Sequence, residues 1–168
     1  LDPDLVSIGG SHKLERRAAS FVMQMVKDAW NDGIYINVTS SYRTYIKQVS
    51  LFKNKIARLE REGYTHAQAV QEAGTVVAVP GTSEHQLGLA VDLVSSEYRS
   101  LDEKQENTRG FRWLKEHCSE YGFILRYPRE KEGITGIRYE PWHFRYVGKE
   151  AAAWLTERNL TLEDVLPL

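Results

Sequence analysis

Two short stretches constrain this chain more than anything else in it: Ser83-Glu84-His85-Gln86-Leu87-Gly88-Leu89-Ala90-Val91-Asp92 and Glu140-Pro141-Trp142-His143. Between them they hold His85, His143, Asp92 and a further carboxylate, Glu140, three residues before the last histidine. A fold that brings these stretches together assembles three metal ligands, an open fourth position for water and a base. That is the inventory of a catalytic zinc site. The rest of the chain then has to serve as scaffold and substrate grip.

A histidine seven residues before an aspartate is common by chance, so the setting has to carry the weight. Ala90 and Asp92 share one face of an expected strand, and Leu89, Val91 and Leu93 take the other. Asp92 thus points away from the apolar layer, where a carboxylate needs a partner or a cation. Gly88 permits the sharp turn that returns His85 to the side of Asp92. The plain alternative is a surface histidine and an N-capping aspartate. In residues 139–146, Trp142, Phe144 and Tyr146 alternate with His143 and Arg145, so His143 stands opposite an aromatic core face. Pro141 lacks an N–H, and a bend there sets Glu140 beside His143. Here the plain alternative is a polar strand edge with a satisfied histidine.

The scaffold reads as interleaved helices and strands. Apolar residues at three-and-four spacing predict a helix over 14–31, with Gly33 as its stop. Alternation predicts a strand over 34–39, and Ser40-Ser41-Tyr42-Arg43 leads into a helix over 44–62 ended by Gly63. Thr65 with Gln68 is a capping box for a short helix to about residue 73. Residues 74–83 form a loop, followed by a strand over 89–94. A helix capped by Asn107 runs to Tyr121, and strands follow over 123–127 and 139–147, separated by a charged loop over 128–138. A helix over 151–158 and a short one near 162–166 close the chain. The helices and strands lack the regular alternation of a parallel sheet, so the class is α+β. Trp30, Trp113, Trp142 and Trp154 are expected in the core, with Trp142 also placed to wall a pocket. His12, His66 and His117 are expected on the surface.

Composition narrows the functional class. A formal net charge of −1 gives no field to attract nucleic acid or an anionic membrane. Runs such as Arg58-Leu59-Glu60-Arg61-Glu62 read as solvated helix faces. Cys118 is the single cysteine, which excludes an internal disulfide and a paired-cysteine metal site, and it is expected to be buried. No apolar run reaches the roughly 18 residues of a membrane span. A chain that begins at Leu1 without a leader-like segment is expected to be a mature or trimmed form.

The pattern Ser83-x-His85-x-x-Gly88-x-Ala90-x-Asp92, followed by Glu140-x-x-His143, resembles the signature of the VanY-type zinc carboxypeptidases. These include D-alanyl-D-alanine carboxypeptidases and related L,D-carboxypeptidases of the bacterial cell wall. Ser40-Ser41-Tyr42-Arg43-Thr44-x-x-x-Gln48 and Gly122-Phe123-Ile124-Leu125-Arg126-Tyr127-Pro128 agree with it, so the resemblance runs from about residue 38 to 148 of one domain spanning 1–168. It implies a small antiparallel sheet with flanking helices, related to the Hedgehog N-terminal domain and the DD-peptidases. It further implies that His85, Asp92 and His143 hold one catalytic zinc ion and that Glu140 is the catalytic base. Arg43 matches the family's substrate arginine, serving either the oxyanion or the terminal carboxylate, and Gln48 and Ser83 match substrate-facing positions. Arg126 and Tyr127 are weaker candidates for reaching the site.

The expected reaction is removal of a C-terminal D-alanine from peptidoglycan stem peptides by a monomer outside the cytoplasm. The Ser-Tyr-Arg and Phe-Ile-Leu-Arg-Tyr-Pro stretches favour the L,D bond, tetrapeptide to tripeptide. The alternatives are D,D cleavage of pentapeptide, an endopeptidase with a cleft open at both ends, and a non-catalytic wall-binding module. A binding module needs no proton acceptor, so Glu140 and Arg43 together argue against the last.

Overall fold

The computed structural model describes residues 2–166. Residues 1, 167 and 168 of the domain expected over 1–168 lie outside the described residues. The chain opens on an antiparallel hairpin absent from the expected element order: β1 (Leu5–Gly9) and β2 (His12–Glu15), with Val6 opposite Leu14. Helix α1 (Arg16–Asn31) therefore begins two residues later than its periodicity predicts. The reason is local. Leu14 enters the core as a strand residue, and the Glu15 carboxylate caps the helix by accepting the Arg17 N–H at 2.9 Å.

The main sheet comprises β3 (Ile36–Ser40), β4 (Ala90–Ser95), β5 (Phe123–Leu125) and β6 (His143–Tyr146). Its order is β3-β4-β6-β5, with every neighbouring pair antiparallel. The expected α+β class stands. The strand expected over 139–147 is shorter because Pro141 and Trp142 form a turn before it. Every residue of β4 is buried, so both of its faces are covered. One face sends Val91 and Leu93 into the main core with Phe123 and Phe144, against Val22 and Met25 of α1 and Trp113 and Leu114 of α4 (Arg109–His117). Gly110 makes that helix contact possible, since a Cβ there would sit 2.7 Å from the Cβ of Ser95.

Several boundaries differ from expectation for visible reasons. The cap of α4 is Thr108, whose Oγ accepts the Phe111 N–H at 3.0 Å. Asn107 instead ends a 3₁₀ turn, Glu103–Asn107. The expected run to Tyr121 changes at Cys118 into a 3₁₀ turn, Cys118–Tyr121. The capping box at Thr65 forms as read: the Thr65 N–H donates to Gln68 Oε1, and the Gln68 N–H donates to Thr65 Oγ1. It starts α3 (His66–Gly74), which packs on α2 (Tyr45–Arg61) through Leu59, Ala69 and Ala73. The charged loop over 128–138 contains one short helix, α5 (Glu132–Thr135). Helix α6 (Lys149–Glu157) covers Ile124 with Ala152 and Leu155. Residues 162–166 close as a hydrogen-bonded turn rather than a helix, with the Leu166 N–H donating to the Leu162 carbonyl at 2.8 Å.

Trp113 and Cys118 are buried as expected. Trp30 and Trp154 are not core residues: they are 64% and 44% exposed. Trp30 lies edge-on to Tyr35, and Trp154 lies under the Arg158 guanidinium. Among the described residues, no helix is long and apolar enough to cross a membrane.

Candidate active site

The site begins as a cross-strand pair. Asp92 of β4 stands directly opposite His143 of β6 in the antiparallel ladder, on the face away from the main core. The segment before β6 folds back as a four-residue turn with Pro141 in its second position, where a fixed φ suits a β-turn. The His143 N–H donates to the Glu140 carbonyl at 3.1 Å, which brings the Glu140 carboxylate to 3.6 Å from His143 Nδ1. The bend expected at Pro141 is therefore this turn.

His85 arrives from a different direction. It lies in a 3₁₀ turn, Glu84–Leu87, that ends at Gly88 with φ +69°. A Cβ at Gly88 would meet the Glu15 nitrogen at 2.8 Å and Leu5 Cδ2 at 2.9 Å, and the Glu15 N–H donates to the Gly88 carbonyl at 2.9 Å. The β1–β2 hairpin thus presses on the turn that carries His85. The imidazole is fixed by Nδ1, which donates to the Ser41 carbonyl at 2.8 Å, while the Arg43 N–H donates to the His85 carbonyl at 3.1 Å. The residues around Arg43 and those around His85 consequently hold each other in place.

His85, Asp92 and His143 are all buried, with one ligand atom from each lying within 4.8 Å of the others. Asp92 Oδ1 is 3.3 Å from His85 Nε2 and 3.1 Å from His143 Nδ1. Tetrahedral zinc with arms of about 2.0–2.1 Å has ligand-to-ligand edges of about 3.3 Å. The protonation pattern points the same way. A carbonyl only accepts, so His85 carries its proton on Nδ1 and turns a lone pair outward from Nε2. Among the described residues, His85 Nε2 is the buried side-chain polar atom without a hydrogen-bond partner. A lone pair facing a carboxylate inside a protein is unfavourable until a cation sits between them. The three residues fit a metal ion.

Charge around the triangle is finely divided. Burial works against charge on both histidines. His85 is shifted down by it, whereas hydrogen bonds to Asp92 and Glu84 raise His143 to about 10. In the metal-free protein a proton on His143 therefore takes the place of the cation. Asp92 is held strongly ionised: burial would raise its pKa, but His85 and His143 outweigh it. Glu140 differs from both. Burial pushes its carboxyl up to about 7, further helped by Asp92 and opposed by His143 and Arg43. A buried carboxylate adjoining a metal position is placed to accept and return a proton.

These groups open on a cleft of about 530 Å³. Arg43 lines it and spreads its guanidinium over three partners: Nε donates to Ser40 Oγ at 2.9 Å, Nη1 to Gln48 Oε1 at 3.2 Å and Nη2 to Asp92 Oδ2 at 3.0 Å. One N–H on each terminal nitrogen is left for a ligand. Ser83 lines the cleft as well. Gln48 is fully buried and outside the lining; it bridges Arg43 and the Ala78 carbonyl, to which its Nε2 donates at 2.7 Å. Tyr127 and Trp142 form part of the wall, with the Tyr127 ring 5.0 Å from that of His143. Arg126 stands behind the site, paired with Glu84 and Glu163.

Two residues at the site escape sequence reasoning. His12, expected as a surface histidine, lines the cleft and meets Ser41 Oγ through Nδ1 at 3.1 Å. Glu84, partly buried between His143, Arg126 and Arg145, carries no periodic signal; its position next to His85 was the available clue. Burial would raise its carboxyl, but His143 and the two guanidiniums hold it down to about 2.

The comparisons with known proteins agree with this geometry. The family model described as VanY, D-alanyl-D-alanine carboxypeptidase, matches residues 11–149. A D-alanyl-D-alanine carboxypeptidase of Enterococcus faecalis is 43% identical over 165 residues, which is 98% of this chain and 60% of that relative. The chain spans about half the length of the curated relatives it matches. The D,D-pentapeptidase VanY from a VanB-type resistance cassette, solved as a mutant in complex with Zn(II), superimposes with a TM-score of 0.87 at 42% identity, covering 97% of this chain and 89% of that one. The LdcB LD-carboxypeptidase superimposes with a TM-score of 0.81 at 36% identity, covering 98% of this chain and 75% of that one. With the metal triangle, the carboxylate beside it and the family match over most of its length, the chain belongs to the VanY family of D-alanyl-D-alanine carboxypeptidases.

Proposed function

We propose that the chain, as one catalytic domain over 1–168, is a zinc-dependent D,D-carboxypeptidase that removes the C-terminal D-alanine from peptidoglycan stem pentapeptides outside the cytoplasm. The observation that carries this reading is the unpartnered His85 Nε2, aimed at Asp92 Oδ1 beside His143 Nδ1, with Glu140 adjoining. His85, Asp92 and His143 would hold the zinc ion. When bound, zinc supplies Lewis acidity, polarising a carbonyl and bringing the pKa of a water toward about 7. Glu140, 3.6 Å from His143 Nδ1, accepts the water's proton and returns it to the departing amine. Arg43 offers its free N–H groups to the developing oxyanion or to the terminal carboxylate; its anchoring by Ser40, Gln48 and Asp92 fixes the fork before substrate arrives. Gln48 serves the substrate through Arg43, and Ser83 meets it at the cleft wall.

The choice of bond reverses the preference read from the sequence. Relatives named for D-alanyl-D-alanine or D,D activity stand at 43% and 42% identity, against 36% for the LD-carboxypeptidase. L,D cleavage remains the second reading, supported by the alignment of LdcB over 98% of this chain. Mass spectrometry of stem tetrapeptide and pentapeptide, mixed equally with zinc-loaded protein, tests both. Pentapeptide converted to tetrapeptide and no further is the expected result. Tetrapeptide converted to tripeptide would establish the L,D reading instead, and intact peptides would overturn the substrate.

A further inference from the structure

We propose that Glu84 is a positioning residue that fixes the tautomer and the electrostatic surroundings of His143. The inference rests on the metal reading above. A neutral imidazole carries one proton, so a ring that turns the lone pair of Nδ1 toward a cation must carry its proton on Nε2. That buried N–H then requires an acceptor. Glu84 provides it: its Oε2 lies 3.4 Å from His143 Nε2, on the side of the ring away from Asp92.

The other oxygen of Glu84 shows how the acceptor is held. Oε1 receives the Nε–H of Arg126 at 2.7 Å and lies 3.1 Å from Arg145 Nη1. Arg126 in turn directs both terminal nitrogens to the carboxylate of Glu163. Two guanidiniums and two carboxylates thus form a largely buried cluster without net charge, with side-chain exposures of 8–16%. Arg145 projects from the same face of β6 as His143, and Glu163 comes from the turn after α6. The cluster ties the end of the described chain to a ring in the metal triangle.

This gives the two histidines different supports. His85 donates to a backbone carbonyl, which cannot be removed by substitution, whereas His143 depends on one side chain. Loss of the Glu84 charge would also leave Arg126 and Arg145 with an uncancelled positive charge beside a position meant for a dication. Both consequences lower metal affinity, and neither requires Glu84 to touch substrate.

The experiment is zinc affinity, measured by competition with a chromophoric chelator, for the wild-type protein, Glu84→Gln and Glu163→Gln. Glu84→Gln is expected to weaken zinc binding by about 10–100-fold. Glu163→Gln, one step further away, is expected to weaken it less. In parallel, ¹H–¹⁵N spectra of the zinc-loaded wild-type protein should show His143 as the Nε2–H tautomer with a slowly exchanging proton, a reading that needs no variant to fold. Unchanged zinc affinity in folded Glu84→Gln, or a His143 Nε2 proton in free exchange, would overturn the proposal. Wild-type protein that fails to bind zinc would instead remove the metal reading itself, and this inference with it.

Discussion

Val91 and Leu93 project from β4 into a layer built from α1, α4, Phe123 and Phe144, whereas Asp92 projects from the same strand among His85, His143 and Arg43. Both faces are buried, and their energetics are opposite. Each large apolar side chain on the first face contributes about 1.5–3 kcal/mol by leaving water. Each ion on the second costs several kcal/mol of desolvation, which pairing offsets only in part. The ladder between β4 and β6 joins the two, since Asp92 faces His143 while Val91 faces Phe144 one residue away. The apolar face thereby holds in register a polar arrangement that could not hold itself.

This contrast is open to direct attack, and the largest effect is expected on the polar face. Glu140→Gln keeps the shape of the turn at 140–143 and removes the proton acceptor. Turnover should fall by about 10²–10⁴-fold with zinc still bound, and retained turnover would refute the assignment of the base. Stability should move the other way. Burial holds the Glu140 carboxyl up to about 7 against an ordinary 4.5. Between those values the native state keeps a proton that the unfolded chain has lost, so Glu140 makes the metal-free fold less stable as pH rises through that window. Glutamine removes this slope. Metal-free Glu140→Gln should melt higher than wild type at pH 8 and no higher at pH 4.

The apolar face should respond in the reverse sense. Phe144 is fully buried and lies between the two ladders of β6, opposite Val91 on one side and Leu125 on the other. Phe144→Ala should cost about 3–5 kcal/mol in chemical denaturation. Any activity lost should return in proportion to the folded fraction, because the alanine leaves the chemistry of His143 untouched. A loss of turnover in fully folded Phe144→Ala would show that the two faces are less separate than the ladder implies.

How much of this was legible in sequence depends on what kind of contact decides each feature. Asp92 could be read because an ion on an alternating strand is conspicuous, and the placement of Glu140 could be read because Pro141 forces a bend. The hairpin over β1 and β2 could not: its apolar residues Val6, Ile8 and Leu14 alternate over runs too short to stand out. Asn107 and Thr108 are both good caps, and the hydroxyl's reach to the Phe111 N–H decides between them. Glu84 is informative only through Arg126, Arg145 and Glu163, which come from separate parts of the chain and meet only in the fold. Long-range polar pairing of that kind leaves no periodic trace.

The smallest effect tests the error in the tryptophans. Trp30 fits the three-and-four spacing of α1, yet the buried stripe of that helix is Ala18, Ala19, Val22, Met25 and Ala29, and Trp30 falls beyond its edge. The residue is 64% exposed, and its ring meets Tyr35 edge-on with centroids 4.7 Å apart. The periodic rule counts it as core because it scores residue type and spacing, whereas the helix buries only the arc that faces the β1–β2 hairpin, β3 and the Cys118–Tyr121 turn. Trp30→Ser should therefore cost about 0.5–1.5 kcal/mol, the scale of one aromatic pair, with turnover unchanged. A loss of about 3 kcal/mol or more, as for a tryptophan removed from a packed interior, would place Trp30 with Phe144 instead.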